Sequence, residues 1–251
     1  MDQPLKSPGQ NALEDAFHAM FDRSRSEPAP TLDPRLDRLK RLRAAVAENE
    51  ARFEQAISAD FGHRARVETA IAETLFLFTE IKHTSQHLKK WMAPRRVSTA
   101  LQFWPAKNRL IPQPLGVVGV IAPWNYPLQL TLAPAIGALA AGNLVMIKPS
   151  ELTPRFAALL KEVIAAKFDP TEIIVTGVEE ETAKEIGEAF ATLPFDHLIF
   201  TGSTRVGRLV AEAAGRNLTP LTLELGGKSP AIVDRSADID VAAERIAYAS
   251  S

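Results

Sequence analysis

The stretch LGVVGVIAPWNYPLQLTLAPAIGALAAGNLVMIKP, residues 115–149, decides the fold. A short apolar run at residues 117–121 is followed by a helical pattern at 128–140 and by a second apolar run at 144–147. This order is typical of two parallel strands joined by a crossover helix. Because both runs are continuously apolar, the sheet that they form should be covered on both faces.

The alternation of strand and helix patterns continues to the end of the chain and predicts an α/β fold. Further apolar runs that we interpret as strands lie at residues 173–175, 198–200, 221–225 and 231–233. Helical patterns lie at residues 155–167, 180–190, 203–214 and 238–248. We therefore predict a parallel, Rossmann-like sheet over residues 115–223 and the start of a further domain over 224–251.

The first hundred residues predict helices. One apolar face with helical spacing follows the cap-and-proline pair Asp33-Pro34 and consists of Leu36, Leu39, Leu42, Val46, Phe53 and Ile57. A second face consists of Val67, Ile71, Leu75, Phe78, Ile81 and Leu88. We assign residues 1–96 as N-terminal helices. Residues 97–114, which lose this periodicity, are predicted to form an exposed hairpin-like oligomerisation arm.

The composition excludes several classes of function. The 251 residues are 46% hydrophobic and 24% charged, with a net charge of −1. We see no basic tract for nucleic acid, no apolar stretch long enough for a membrane and no signal peptide, so we expect a cytoplasmic protein. The chain contains no cysteine. Disulfides, cysteine-ligated zinc and covalent catalysis by a thiol of these residues are thereby excluded, and we predict no metal site.

The common nucleotide-binding motifs are absent from the predicted sheet. No G-x-G-x-x-G pattern occurs, and Gly227-Lys228-Ser229 ends like a P-loop but has Thr222 where that motif requires glycine. A different segment, FTGSTRVG at residues 200–207, follows a strand pattern and opens a helix. Its glycines and the helix N-terminus favour a phosphate. The alternative is a tight turn in which Ser203 or Thr204 caps the helix.

Two further polar segments follow predicted strands, and one carboxylate lies inside a strand pattern. In PWNYP, residues 123–127, two prolines stiffen a loop that could aim the Asn125 amide at a developing oxyanion, although Asn125 could instead close a turn. In KPSE, residues 148–151, a lysine and a carboxylate suit ribose hydroxyls or a phosphate, or form a solvated pair that caps the next helix. Glu224 lies inside an apolar strand pattern. Burial there would raise its pKa towards that of a general base, whereas an edge strand would leave it in water.

Four segments in chain order, PWNYP (123–127), KPSE (148–151), FTGSTRVG (200–207) and ELGGKSP (224–230), together closely resemble the aldehyde dehydrogenase superfamily, and the resemblance covers residues 115–248 well. The stretches at residues 60–62 and 111–116 are most similar to the bacterial coniferyl-aldehyde-dehydrogenase branch, which is related to the dimeric class 3 enzymes. The resemblance implies NAD as cofactor, with NADP as the alternative, and a homodimer for the full-length protein.

The resemblance also implies a role for each matching residue. Asn125 would supply half of the oxyanion hole and Glu224 would activate water. Cofactor-binding positions would be Trp124, Lys148, Ser150, Glu151, Gly202, Ser203 and Gly207. In the family reaction a cysteine thiolate attacks the aldehyde, hydride passes to the nicotinamide, and water releases the carboxylic acid.

One departure from the family pattern is severe. The family's nucleophilic cysteine lies downstream of the segment that contains Glu224, and these residues hold no cysteine. We therefore expect a fragment of an aldehyde dehydrogenase, the start of whose catalytic domain is residues 224–251, and we expect it to be inactive alone. The substrate of the full-length enzyme would be coniferyl or another aromatic aldehyde. The alternatives are a non-catalytic NAD-binding module, a decayed gene product, or an acyl-reducing relative.

Overall fold

A computed structural model describes residues 6–178 and 183–250 of the chain. It contains a two-stranded antiparallel hairpin and a five-stranded parallel sheet. The strands in chain order are β1 (Arg95–Val97), β2 (Asn108–Leu110), β3 (Val117–Ile121), β4 (Leu144–Lys148), β5 (Ile173–Val175), β6 (His197–Gly202) and β7 (Leu221–Leu225). The parallel sheet has the order β5-β4-β3-β6-β7, which confirms the predicted α/β fold.

Helices surround this sheet and precede it in the chain. They are α1 (Pro8–Ser26), α2 (Leu32–Ala47), α3 (Glu50–Phe61), α4 (Arg66–Thr69), α5 (Leu75–Trp91), α6 (Pro127–Ala141), α7 (Pro154–Ala165), α8 (Ala183–Ala191), α9 (Thr204–Arg216) and α10 (Ile239–Ser250). The crossover helix α6 ends at Gly142, whose φ of 93° is in the left-handed region that glycine adopts without strain. This tight ending lets the chain turn directly into β4.

The sheet separates two hydrophobic clusters, as the apolar runs predict. One cluster joins α2, α3, α5, α6 and α7 to β3, β4 and β5, and contains Phe53, Leu132 and Phe156. The other joins α1, α8 and α9 to β3, β4 and β6, and contains Phe17 and Phe190. Successive side chains of a strand point to opposite faces, so a strand buried on both faces must be apolar at every position.

Several predicted boundaries differ from the structure. The helix α2 begins at Leu32 after Thr31, so Asp33 and Pro34 lie inside its first turn rather than at its cap. The helix predicted over residues 180–190 begins at Ala183 among the described residues, and residues 180–182 lie outside them. In the described part of the chain, residues 231–233 form no strand, and Ile232 is 94% exposed.

The second predicted apolar face is wrong in its first half. Between α4 and α5 the chain forms a π-helical turn, Ala70–Thr74, which adds a residue to the turn and shifts the helical phase. As a result Val67, Ile71 and Leu75 are more than half exposed, whereas Glu73 is fully buried. Hydrophobic periodicity assumes an uninterrupted α-helix and cannot show this shift.

The hairpin of β1 and β2 lies within the region predicted as an arm, although it begins earlier, at Arg95. A short 3₁₀ helix, Leu101–Phe103, lies between its strands, and Leu101 and Trp104 are largely exposed. Its role in oligomerisation stays a prediction. Among the described residues, no helix is both long enough and apolar enough to cross a membrane.

Candidate functional site

The four candidate segments meet at one edge of the parallel sheet. Each follows or ends one of four adjacent strands, β4, β3, β6 and β7, at its carboxyl end. The register places Ile121 of β3 beside both Lys148 of β4 and Phe200 of β6. It also places Gly202 of β6 beside Leu225 of β7. Ligands of open α/β sheets bind at this edge, so the topology joins segments that lie up to about a hundred residues apart in sequence.

The loop that carries Asn125 is anchored through its backbone. Asn125 itself is exposed, and its carbonyl oxygen accepts a hydrogen bond of 2.5 Å from Nη1 of Arg64. The ring of Trp124 lies 5.8 Å from that of Phe61 and is half exposed. The first helical residue of α6, Pro127, follows the loop at once. The Asn125 side chain is therefore held near solvent at the carboxyl end of β3.

A buried carboxylate that the sequence analysis missed lies under the same loop. Glu73 accepts hydrogen bonds from the backbone N–H groups of Leu128 (2.7 Å) and Gln129 (3.1 Å), at the N-terminus of α6. Burial raises the pKa of Glu73 above its ordinary value, against the opposing effects of these N–H groups and of Arg64. No motif identifies Glu73, because the phase shift at the π-helical turn decides which way it faces.

Lys148 and Glu151 form a direct ion pair. Lys148 Nζ lies 2.7 Å from Glu151 Oε2, and the lysine is almost fully buried. Although burial raises the pKa of Glu151, the hydrogen bond and the charge of Lys148 outweigh that effect and hold it below its ordinary value. The helix that follows, α7, is capped by a different residue, since the Asp60 carboxylate accepts from the N–H groups of Arg155 and Phe156. Glu151 is thus not needed as the cap.

Small residues surround the Lys148 side chain. A Cβ atom at Gly177, where φ is +65°, would lie 3.3 Å from Lys148 Cγ, and one at Gly187 would lie 3.4 Å from Lys148 Cε. Ser150 is buried, and its Oγ accepts from the N–H of Leu152 at 3.2 Å. The glycines leave the lysine stem a narrow path to the carboxyl edge of the sheet.

The segment after β6 opens α9 as expected. Ser203 is the N-cap, and its Oγ accepts from the N–H of Val206 at 3.3 Å, so the capping interpretation holds. Ser203 is exposed, which leaves this end of a 13-residue helix accessible to an anion. Gly207 packs tightly, because a Cβ there would lie 2.7 Å from Leu225 Cδ2. That contact joins α9 to β7.

The polar groups of the Lys148–Glu151 pair and of the start of α9 fit a dinucleotide. A carboxylate paired with an ammonium suits ribose hydroxyls, and the N–H groups at the start of α9 suit a phosphate. Glu151 is partly exposed beside the buried Lys148, so the pair presents oxygen atoms outward.

Glu224 is exposed, so of the two interpretations of its apolar strand pattern the structure supports the edge strand that leaves it in water. It lies on β7, the outermost strand of the described sheet, opposite Thr201 of β6. Nearby Leu223 is 37% exposed, so this face of β7 lies open in the described part of the chain. The role of Glu224 as a base stays a prediction.

Residues 9–251 match the model described as "Aldehyde dehydrogenase family". The chain belongs to the aldehyde dehydrogenase family. Members of this family oxidise aldehydes with NAD or NADP, and the membership agrees with the resemblance of the four segments.

Individual relatives of the aldehyde dehydrogenase family agree with this membership. A probable coniferyl aldehyde dehydrogenase of Pseudomonas aeruginosa is 48% identical over 239 residues, which are 94% of this chain and 49% of that protein. The coniferyl aldehyde dehydrogenase of a Pseudomonas species is 44% identical and is matched over 95% and 48% of the two chains. The chain thus spans about half the length of the curated relatives it matches.

Solved structures that are 30% or more identical to this chain share the fold. Staphylococcus aureus AldH in its substrate-bound state is similar with a TM-score of 0.84 and 39% identity, over 94% of this chain and 50% of that one. PnpE in complex with nicotinamide adenine dinucleotide has a TM-score of 0.78 and 30% identity, over 96% and 48%.

Proposed function

We propose that these 251 residues form the cofactor-binding and oxyanion-binding part of an NAD-dependent enzyme that oxidises an aldehyde to a carboxylic acid. The observation that carries the proposal is the meeting of four segments at one carboxyl edge of the sheet, on adjacent strands. The coniferyl aldehyde dehydrogenases that are 44% and 48% identical favour coniferyl or another aromatic aldehyde as substrate.

The cofactor would lie across β4, β3 and β6. Lys148 and Glu151 would hold the adenosine ribose with Ser150 beside them, while Trp124, Gly202, Ser203 and Gly207 would line its path. The low pKa of Glu151 keeps a negative charge where NADP carries its extra phosphate, which favours NAD. The structure of PnpE with nicotinamide adenine dinucleotide supports this cofactor class. Bound NAD would accept the hydride that the aldehyde loses.

Two residues would act on the substrate. The exposed Asn125 amide would donate to the carbonyl oxygen as negative charge develops, an interaction whose removal costs roughly 3–4 kcal/mol in comparable sites. Glu224, at the same edge, would take a proton from the water that releases the acid. The chain supplies no thiol, since it contains no cysteine, so we expect no turnover by the thioester route from these residues alone.

A second candidate is a non-catalytic NAD-binding module or the product of a decayed gene. It is favoured by the lack of cysteine in these residues. It shares the proposed cofactor site but has no aldehyde substrate. For a family member of full length we propose a homodimer, in which the exposed Leu101 and Trp104 of the hairpin would lie at the subunit interface.

The test is a calorimetric titration of the 251-residue chain with NAD and NADP. We expect NAD to bind, and Lys148→Ala to weaken it by roughly tenfold or more, the effect of losing hydrogen bonds to a charged group. Glu151→Gln should narrow the preference for NAD over NADP. Glu162→Gln, which changes an exposed carboxylate paired with Arg52, is the control and should alter neither affinity.

Two results would contradict the proposal. If the folded chain shows no NAD binding at millimolar concentration, neither candidate function stands. If the chain alone reduces NAD in the presence of an aromatic aldehyde, it uses a nucleophile other than a cysteine of its own, and the expected inactivity is wrong.

A further inference from the structure

Two charged residues are buried beneath the loop that carries Asn125. Glu73 is 0% exposed, and one of its carboxylate oxygens accepts from two backbone N–H groups in the first turn of α6. Those N–H groups have no partner within the helix, so a carboxylate there fixes the helix start. Because α6 begins at Pro127, this contact holds the end of the loop in place.

Arg64 holds the middle of the same loop. Its Nη1 donates to the Asn125 carbonyl oxygen, and its guanidinium lies 4.5 Å from the ring centre of Tyr126 and 4.9 Å from that of Phe61. Its Nη2 lies 3.1 Å from Glu68 and 3.7 Å from Glu73. The planar cation therefore contacts the loop at two adjacent residues, the Asn125 carbonyl and the Tyr126 ring.

We propose that Arg64 and Glu73 are positioning residues, which set the direction of the Asn125 amide without touching substrate. This inference rests on the proposed function only in giving Asn125 its role as oxyanion donor. A donor is effective when it is aimed in advance, and a shift of about 1 Å in such a group costs roughly a hundredfold in rate. Two contacts within five residues, at Asn125 and at 128–129, leave the loop little freedom.

The stability of the fold alone does not account for this pair. Replacing buried ion pairs by apolar residues is often neutral or stabilising, because two charges lose their water. Glu73 Oε1 makes no hydrogen bond to the described residues, and neither does Arg64 Nε. The π-helical turn that turns Glu73 inward also interrupts a regular helix. The buried charges, their polar atoms without hydrogen bonds and the π-helical turn all cost free energy, and all of them lie next to the loop that carries Asn125.

The experiment measures how well the loop is ordered in the 251-residue chain. With Trp91 and Trp104 changed to Phe, Trp124 is the remaining tryptophan and reports on the loop through quenching by acrylamide. Amide hydrogen exchange at Tyr126, Leu128 and Gln129 gives a second measure. We expect Arg64→Met to raise the quenching constant about twofold and to speed exchange there by about tenfold or more, while exchange in β3 and β4 is unchanged.

Arg38→Met is the matched control. Arg38 is also buried and pairs with a carboxylate, since its Nε lies 3.0 Å from Glu172, but it contacts no part of the loop. It should lower the unfolding midpoint and leave the Trp124 signal unchanged. If Arg38→Met and Arg64→Met change quenching and loop exchange equally, Arg64 is merely structural and the proposal is overturned.

A second pair of variants decides the matter if Arg64→Met does not fold. Glu73→Gln retains an oxygen that accepts from the N–H groups of Leu128 and Gln129, whereas Glu73→Leu does not. We expect Leu to speed exchange at both amides by about tenfold and Gln to restore most of the protection. Equal exchange in the two variants would overturn the proposal.

NAD affinity, measured on the same variants, separates this inference from the proposed function. Because Trp124 of the same loop is also proposed to line the cofactor path, we expect the Arg64 and Glu73 variants to weaken NAD binding, but far less than Lys148→Ala does. A chain that orders its loop as described but does not bind NAD would disprove the proposed function and leave the positioning contacts established. If the chain binds NAD but its loop order does not depend on Arg64 or Glu73, the positioning role is disproved and the proposed function stands.

Discussion

The strands β4 and β7 have similar lengths and apolar sequences, yet they have opposite surroundings. All five residues of β4 are buried, between α6 and α7 on one face and the second cluster on the other. In β7 no residue is fully buried. An apolar strand pattern predicts the strand itself, but burial depends on where the strand lies in the sheet and on what packs against it.

The contrast in burial also includes the residues that follow β7 in the sequence. Ile232, Val233 and Ile239 have the composition of a core and are exposed in this chain. Single exposed apolar residues are ordinary, but several beside an edge strand are not. The covered region around β4 should therefore carry most of the stability, and the region around β7 little of it.

The largest expected difference comes from truncating one strand residue in each region. Ile147→Ala, in β4, removes a fully buried side chain and should lower the free energy of unfolding by about 2–5 kcal/mol. Leu223→Ala, in β7, should lower it by less than about 1 kcal/mol, because this side chain is already 37% exposed. Urea unfolding of both variants measures these two free energies of unfolding. Equal losses would show that β7 is as much a part of the core as β4.

Substitutions at two glycines test the same difference between the covered region and the open edge, with smaller expected losses of stability. A Cβ at Gly119 in β3 would lie 2.8 Å from Leu198 and from the Phe195 ring, both buried, so Gly119→Ala should cost about 1–3 kcal/mol. A Cβ at Gly207 would meet the end of the Leu225 side chain, which can move at the open edge, so Gly207→Ala should cost about 1 kcal/mol or less. Thermal unfolding ranks the two variants, and the reverse order would contradict the comparison.

The smallest expected effect depends on pH. Burial raises the pKa of Glu172, but Arg41 and Arg38 outweigh this and hold it below its ordinary value of 4.5. Above pH 4.5 the native pair is fully formed, and its stabilisation is lost as the pH falls through the lowered native pKa. Glu172→Gln should thus cost about 1–2 kcal/mol at pH 7 and progressively less below pH 4.5.

Glu162→Gln is the control variant, because Glu162 is an exposed partner of Arg52. It should lower the free energy of unfolding by less than about 1 kcal/mol at pH 7. The loss of stability in Glu172→Gln could instead stay constant down to pH 3. The ion pairs of the Glu172 carboxylate with α2 would then not stabilise the fold.

The sequence predicts the covered region well because local and global signals agree there. The runs at 117–121 and 144–147 become β3 and β4 within one residue, since continuous apolar runs bounded by glycine, proline and asparagine fit a buried parallel strand. The four polar segments at the carboxyl edge follow from the same pattern.

The sequence does not predict features that depend on neighbours in space. Glu73 resembles any glutamate of an exposed helix until the π-helical turn fixes its direction. Arg64 lies in a loop without a motif, and its partner Asn125 is 61 residues away. The apolar neighbours of Glu224 fit a buried strand and an edge strand equally, and only the position of β7 in the sheet shows that Glu224 is exposed. Periodicity carries no information about such contacts.

The central position of β3 has a consequence for how the chain folds. Val117 pairs with Leu144, 27 residues later, whereas Val118 pairs with His197, 79 residues later. Closing the longer loop costs more chain entropy and contributes a contact of high sequence separation, which slows folding. The pairing of β3 with β4 around α6 should therefore form first. The carboxyl edge where β3 meets β6, and the site that Asn125 and Ser203 form there, would be completed only in the last steps of assembly.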